Sequence, residues 1–206
     1  MYPQTLNNLK ECFKKLPGIG DKTAERLAFH VLELDDEIID LFSDSIKNVK
    51  VNTKKCKHCH NLTENDLCDI CLDKSRNRKT ICVVDDPKNI ILFEKMGSYS
   101  GIYYVLNNLI SPLDGINPED INLDKLIERI EIEDIKEVIL AVKPSIESET
   151  TALYIVKLLE GKDVVVSKIA SGIPIGADME YIDSLTLELA LEDRKNISKQ
   201  NWLNHT

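Results

Sequence analysis

Four thiols are the first residues in this chain that could do chemistry. Cys56-Lys-His-Cys59 and Cys68-Asp-Ile-Cys71 form two C-x-x-C pairs eight residues apart. Each pair offers two sulfurs to one side of an ion, and the short loop between them lets the second pair close a tetrahedral Zn²⁺ site. The competing readings are a redox dithiol, which needs only one pair, and disulfides; the doubled spacing favours zinc. His58 and His60 are read as loop residues, with His58 a candidate outer-shell partner. So small a unit cannot bury a hydrophobic core, and metal binding must supply its folding energy.

The second chemical pattern is Leu16-Pro-Gly-Ile-Gly-Asp-Lys-Thr-Ala-Glu-Arg-Leu-Ala28. Gly18 and Gly20 flank one apolar residue, and a helix follows from Asp21 with Ala24, Leu27, Ala28 and Val31 on its inner face. The pattern resembles a helix-hairpin-helix. Its glycines let the backbone turn tightly and approach a ligand. N–H groups at the new helix start then face a phosphate oxygen. Lys22 and Arg26, one turn apart, add positive charge on the same rim. Such a motif reads no base edges, so DNA binding without sequence preference is expected. A plain αα-hairpin is the rival. A P-loop is excluded, because no glycine directly precedes Lys22 and no strand leads in.

The third pattern is carboxylate. Asp85 and Asp86 follow one apolar run of strand length, and Glu147-Ser-Glu149 follows another by a short loop. At the carboxyl ends of parallel strands they would line a crevice and could hold Mg²⁺. The rival reading is that Glu147 and Glu149 serve a helix N-terminus. No histidine lies between His60 and His205 to activate a nucleophile, and the non-catalytic reading is preferred.

The elements that must position these groups follow from periodicity. Leu6, Leu9, Phe13 and Leu16 mark a first helix, and Asp35 to Val51 marks a third with Ile38, Leu41, Phe42, Ile46 and Val49 apolar. From Thr80 the pattern alternates: Ile81–Val84, Ile102–Val105, Val138–Val142 and Val164–Val166 as strands, with helices near 87–96, 123–130 and 149–159. An α/β class with a small parallel sheet is expected. No G-x-G-x-x-G follows the first strand, which excludes a dinucleotide fold. The last stretch, 169–206, combines a Gly/Pro loop, a leucine-bearing helix and a tail with Trp202, and reads as an interaction or oligomerisation arm. The resulting divisions are 1–53, 54–75, 79–168 and 169–206.

Charge is unevenly spread. The net is −9 over 206 residues, yet residues 1–28 carry five bases against three acids and 47–80 carry nine against four. A polyanion would have to meet that end. Basic stretches at Lys47–Lys57 and Lys74–Lys79 flank the cysteines. No apolar run reaches membrane length and no leader is visible. Cys12 and Cys82 read as core, so a reducing, cytoplasmic setting is expected.

The succession of Leu16-Pro-Gly-Ile-Gly, four cysteines, Ile81-Cys-Val-Val, Ser111-Pro-Leu-Asp-Gly115, Glu137-Val-Ile-Leu-Ala141 and Ile169-Ala-x-Gly-x-Pro-x-Gly176 resembles the RecR family of bacterial recombination mediators over nearly the whole chain. The resemblance implies a Toprim domain and a ring-like homo-oligomer, a dimer or tetramer, that clamps DNA. It also implies partnership with RecO, and in some bacteria RecF, in loading RecA on SSB-coated gapped DNA, with no catalytic turnover. By position, Lys22 and Arg26 match DNA contacts, Cys56, Cys59, Cys68 and Cys71 the zinc ligands, and Asp85, Glu147 and Glu149 the Toprim acids tied to partner contact. Asp85 stands where the pattern has Glu, and Ser148 where relatives usually have Gly, which weakens a metal role for the acids. The rival function is a Mg²⁺-dependent Toprim nuclease or primase-like phosphotransferase; a third is a protein adaptor whose hairpin only turns.

Overall fold

A computed structural model describes residues 2–170 and 172–194; Trp202 and the rest of the tail lie outside the described residues. The chain divides after Thr53 into two compact units.

In the first unit, α1 (Gln4–Lys14) and α2 (Asp21–Val31) form a hairpin, and α3 (Asp36–Asn52) follows. Gly18 turns the chain at φ +80°, a conformation that costs residues with a Cβ. Ala24 and Ala28 are fully buried; their small side chains let the two hairpin helices approach closely. Lys10 spans the pair, its Nζ donating to Asp21 at 2.8 Å and Glu25 at 3.4 Å. The Tyr2 hydroxyl donates to Glu25 and its ring meets Phe29 edge-on at 5.2 Å. Little else is buried: Leu6 is the third and last buried residue among those described here. Cys12, expected in a core, is exposed, because α1 buries the turn around Leu6 rather than its last turn.

The second unit opens with the cysteine segment: β1 (Lys54–Lys55) pairs antiparallel with β2 (Leu62–Thr63), and a one-turn helix, α4 (Asp69–Leu72), follows. Then come β3 (Asn77–Val84), α5 (Pro87–Met96), β4 (Gly101–Val105), α6 (Leu123–Ile132), β5 (Glu137–Leu140), α7 (Ile146–Leu158), β6 (Val165–Lys168) and α8 (Ser184–Glu192). The four main strands pair parallel in the order β4-β3-β5-β6. Both faces of the sheet are apolar, as two-sided burial requires. Ile81 and Val83 point to a core with Leu126 and Ile130 of α6 and Ile155 of α7. Cys82 and Val84, one residue out of phase, join Ile90 of α5, Tyr103 and Val105 on the other face. The strand order reverses at β3, so the crevice at the strands' carboxyl ends opens beside the residues just after it.

Candidate functional site

The four cysteines lie together and buried. Cys59 and Cys68 sulfurs are 3.4 Å apart and Cys56 and Cys71 3.8 Å, and all four fall within 4.8 Å of one another. A tetrahedron with Zn–S of about 2.3 Å has sulfur–sulfur edges of about 3.8 Å, so the donor set fits the ion. The backbone prepares it. The Cys56 N–H donates to the Asn61 carbonyl at 2.7 Å, and the His60 N–H returns to the Cys56 carbonyl at 2.9 Å. The Cys68 N–H points at the Cys56 sulfur at 3.3 Å. Without the ion, the close sulfurs share protons through hydrogen bonds such as that between Cys59 and Cys68, which drive the Cys59 pKa up and the Cys68 pKa down. Zn²⁺ would replace those shared protons and bind all four sulfurs as thiolates.

The same segment finishes the sheet. β4 is an edge strand, and an uncovered edge invites foreign pairing. Here the Val105 N–H donates to the Cys59 carbonyl at 2.9 Å, and His60 Nδ1 donates to the Val105 carbonyl at 3.2 Å. Burial holds the His60 imidazole below its ordinary pKa, so it bonds as a neutral ring. Arg129 Nη1 donates to the Tyr103 carbonyl at 2.9 Å and to that of His58 at 3.4 Å. His58 lines the surface of this segment and makes no hydrogen bond to a thiol among the described residues.

At the hairpin, Gly20 caps α2 without a side-chain acceptor. The N–H groups of Gly20, Asp21, Lys22 and Thr23 find no acceptor among the described residues; the ladder begins with Ala24 donating to Gly20 at 2.9 Å. Four free donors at a helix start can receive an anion. Gly20 has φ −84°, and a Cβ there would meet nothing within 4 Å. Nothing inside the hairpin therefore demands glycine at that position. The bare Cα instead leaves the N–H row open to a ligand's approach. Asp21 would oppose an anion, but Lys10 and Lys14 hold it, and the Lys10 hydrogen bond lowers its carboxyl pKa. Lys22 and Arg26 are exposed and make no ion pair among the described residues.

The carboxylates are more dispersed. Asp85 and Glu147 line one cavity of about 400 Å³ with Asp86, Asp114 and Lys143. Asp85 accepts from the Asn89 side chain at 2.8 Å, and Asp86 caps α5 through the Lys88 N–H. Glu147 sits in the first turn of α7, its pKa lowered chiefly by hydrogen bonding with Ser145. Glu149 does not line the cavity; it pairs with Lys168. Among the described residues the cysteine cluster is the one group of three or more candidate ligands close enough to share an ion.

Arg78 stood in a stretch marked only as basic, and Arg129 had no sequence signal. Arg78 joins Glu133 at 3.3 Å and the Cys71 carbonyl at 2.7 Å, and Arg129 joins the same Glu133 at 2.7 Å. Together they clasp the cysteine segment to α6.

Comparisons with known proteins agree with this order of parts. Residues 6–50 match the family model for the RecR helix-hairpin-helix, 53–73 the four-cysteine zinc finger domain of RecR, 79–170 the Toprim domain and 172–195 the RecR C-terminal region. Recombination protein RecR of Staphylococcus saprophyticus is 47% identical over 193 residues, covering 94% of this chain and 98% of the relative. That of Staphylococcus haemolyticus is 47% identical with the same coverage. The Zn²⁺ expectation stands on both the zinc-finger match and the sulfur geometry. No helix among the described residues is long and apolar enough to cross a membrane.

Proposed function

The chain belongs to the RecR family of recombination proteins, and from that premise we propose that it is a DNA-binding mediator of recombinational repair. It is a clamp-like cytoplasmic scaffold that aids RecA loading on SSB-coated gapped DNA with RecO and, in some bacteria, RecF. The observation that carries the DNA reading is the row of free N–H groups from Gly20 to Thr23 beside exposed Lys22 and Arg26. It supplies fixed donors and two mobile cations to a phosphate and contacts no base edge, so every sequence is bound alike.

Four parts divide the work: 1–53 grips phosphate, 54–75 holds zinc, 79–168 is the Toprim-like domain and 169–206 the interaction arm. Cys56, Cys59, Cys68 and Cys71 are the zinc ligands, which need a reducing compartment. Asp85, Glu147 and Glu149 meet a basic partner. The engagement of Asp85 with Asn89 and of Glu149 with Lys168 supports recognition over turnover, and we assign no catalytic residue. Homo-oligomerisation is supported by α3, whose Leu41, Ile46 and Val49 are more than half exposed; several weak phosphate contacts then add through linkage.

The test is a salt titration of random-sequence DNA binding with the Lys22→Ala, Arg26→Ala double variant. Binding should weaken for all sequences and lose roughly two counterions' worth of salt dependence. Equal affinities of variant and parent at two salt concentrations would refute the assignment.

A further inference from the structure

The two basic stretches that flank the cysteines converge on one groove. It has a volume of about 530 Å³ and lies between the zinc segment and α6. Lys57 comes from the stretch before the cysteines and Arg78 from the stretch after them, while Lys125 and Arg129 stand one turn apart on α6. Four cations face two carboxylates, Glu128 and Glu133. The cavity at Asp85 has the opposite balance, four carboxylates to one lysine.

Part of that positive charge is already used. Zn²⁺ with four thiolates carries a net −2, and Arg78 and Arg129 face it through the Cys71 and His58 carbonyls. Counted with the two carboxylates, that brings the groove to about neutral, and what distinguishes it is how poorly its cations are partnered. Both guanidiniums share the single carboxylate of Glu133. Arg129 is 6% exposed, and its Nη2 has no hydrogen-bond partner, a costly condition for a buried cation. Lys54 and Lys57 likewise share Asp66, and Lys125 makes no ion pair among the described residues. A concave site with an unpaired lysine and an under-satisfied buried guanidinium offers its donors to an anion.

Its other lining residues narrow the class. His58 and His60 line it, the His60 ring half-buried against Tyr104 at 4.9 Å, and Ile132, 75% exposed, is the single aliphatic side chain. An amphipathic peptide would need a row of apolar anchors, which one isoleucine does not provide. Cations beside flat rings suit a phosphate with its attached base. The volume accepts about one nucleotide and no duplex, small-molecule sites spanning roughly 300–1,000 Å³. We propose that this groove binds a nucleoside phosphate, either one unit of a single strand or a free nucleotide, with Lys57 and Lys125 on the phosphate and the histidines beside the base.

The proposal rests on the nucleic-acid reading above but is separable from it. The experiment uses the zinc-loaded full chain, a thymidine octanucleotide, thymidine monophosphate and an acidic amphipathic peptide. Imidazole C–H resonances are followed by NMR; four histidines keep the spectrum assignable. The octanucleotide should shift His58 and His60. Exposed Lys125→Ala should weaken its binding roughly five-fold and lower its salt slope by about 0.7, in the parent and in the Lys22→Ala, Arg26→Ala background alike. Equal shifts with the monophosphate would assign a free nucleotide, and shifts with the strand alone a polynucleotide. Unmoved His58 and His60 signals with unchanged Lys125→Ala affinity would overturn the proposal, as would shifts from the peptide alone. Loss of binding through Lys22 and Arg26 but not Lys125 refutes the groove; the reverse refutes the hairpin and leaves the groove standing.

Discussion

The two units of this chain solve the folding problem by different means. The unit before Thr53 buries Leu6, Ala24 and Ala28 among its described residues and leaves a helix face of Leu41, Ile46 and Val49 in solvent. The unit after it buries both faces of a parallel sheet and seals the β4 edge with a metal-binding segment. Small units with so little core depend on association or on staples. The second unit carries its own stabilisation, while the first keeps its backbone donors and apolar surface available to other molecules.

Removing zinc tests that contrast most severely. Ejecting the ion forfeits binding energy on the order of 10 kcal/mol in isolated zinc units, and here it also uncovers the N–H and carbonyl groups of Val105. Chelation, or Cys59→Ser, should lower the second unit's melting temperature by well over about 10 °C and expose the Val105 amide to hydrogen exchange. An unchanged melting curve would mean that the segment is only an appendage.

A smaller effect sharpens the same contrast. Leu126→Ala, at a fully buried site on α6, should cost about 3 kcal/mol in thermal or denaturant unfolding. Leu41→Asp, on the exposed face of α3, should leave the second unit's stability unchanged and instead weaken self-association in sedimentation. Equal losses of stability from both substitutions would erase the distinction drawn between the units.

Much of this was legible in the residues, and the reason differs from place to place. The cysteines announce their site because ligand spacing is local: a loop of fixed length either closes a tetrahedron or does not. The hairpin is legible because Gly18 requires positive φ and Asp21 begins a helix at once. Sheet strands stand out where both faces are apolar, as at Ile81–Val84. The start of β3 at Asn77 does not, since Arg76 to Lys79 reads as a solvated linker. Only the fold shows Arg76 reaching Glu94 and lying over the Tyr103 ring at 6.0 Å. Cys12 misled because apolar neighbours in sequence say nothing of which helix turn is covered. Arg129 was invisible, and Arg78 was legible only as one of a basic stretch, for a related reason: two cations far apart in the chain acquire a role only when Glu133 and the zinc segment are brought between them.

On the proposed reading, an acidic chain holds DNA through bare backbone donors at one glycine bend. Amide hydrogen exchange with random-sequence DNA tests it most directly. Protection of Gly20, Asp21, Lys22 and Thr23 is predicted, with Asp86 to Asn89 beside the carboxylate cavity unchanged. Protection at the carboxylate cavity, with the hairpin amides exchanging as freely as before, would contradict it.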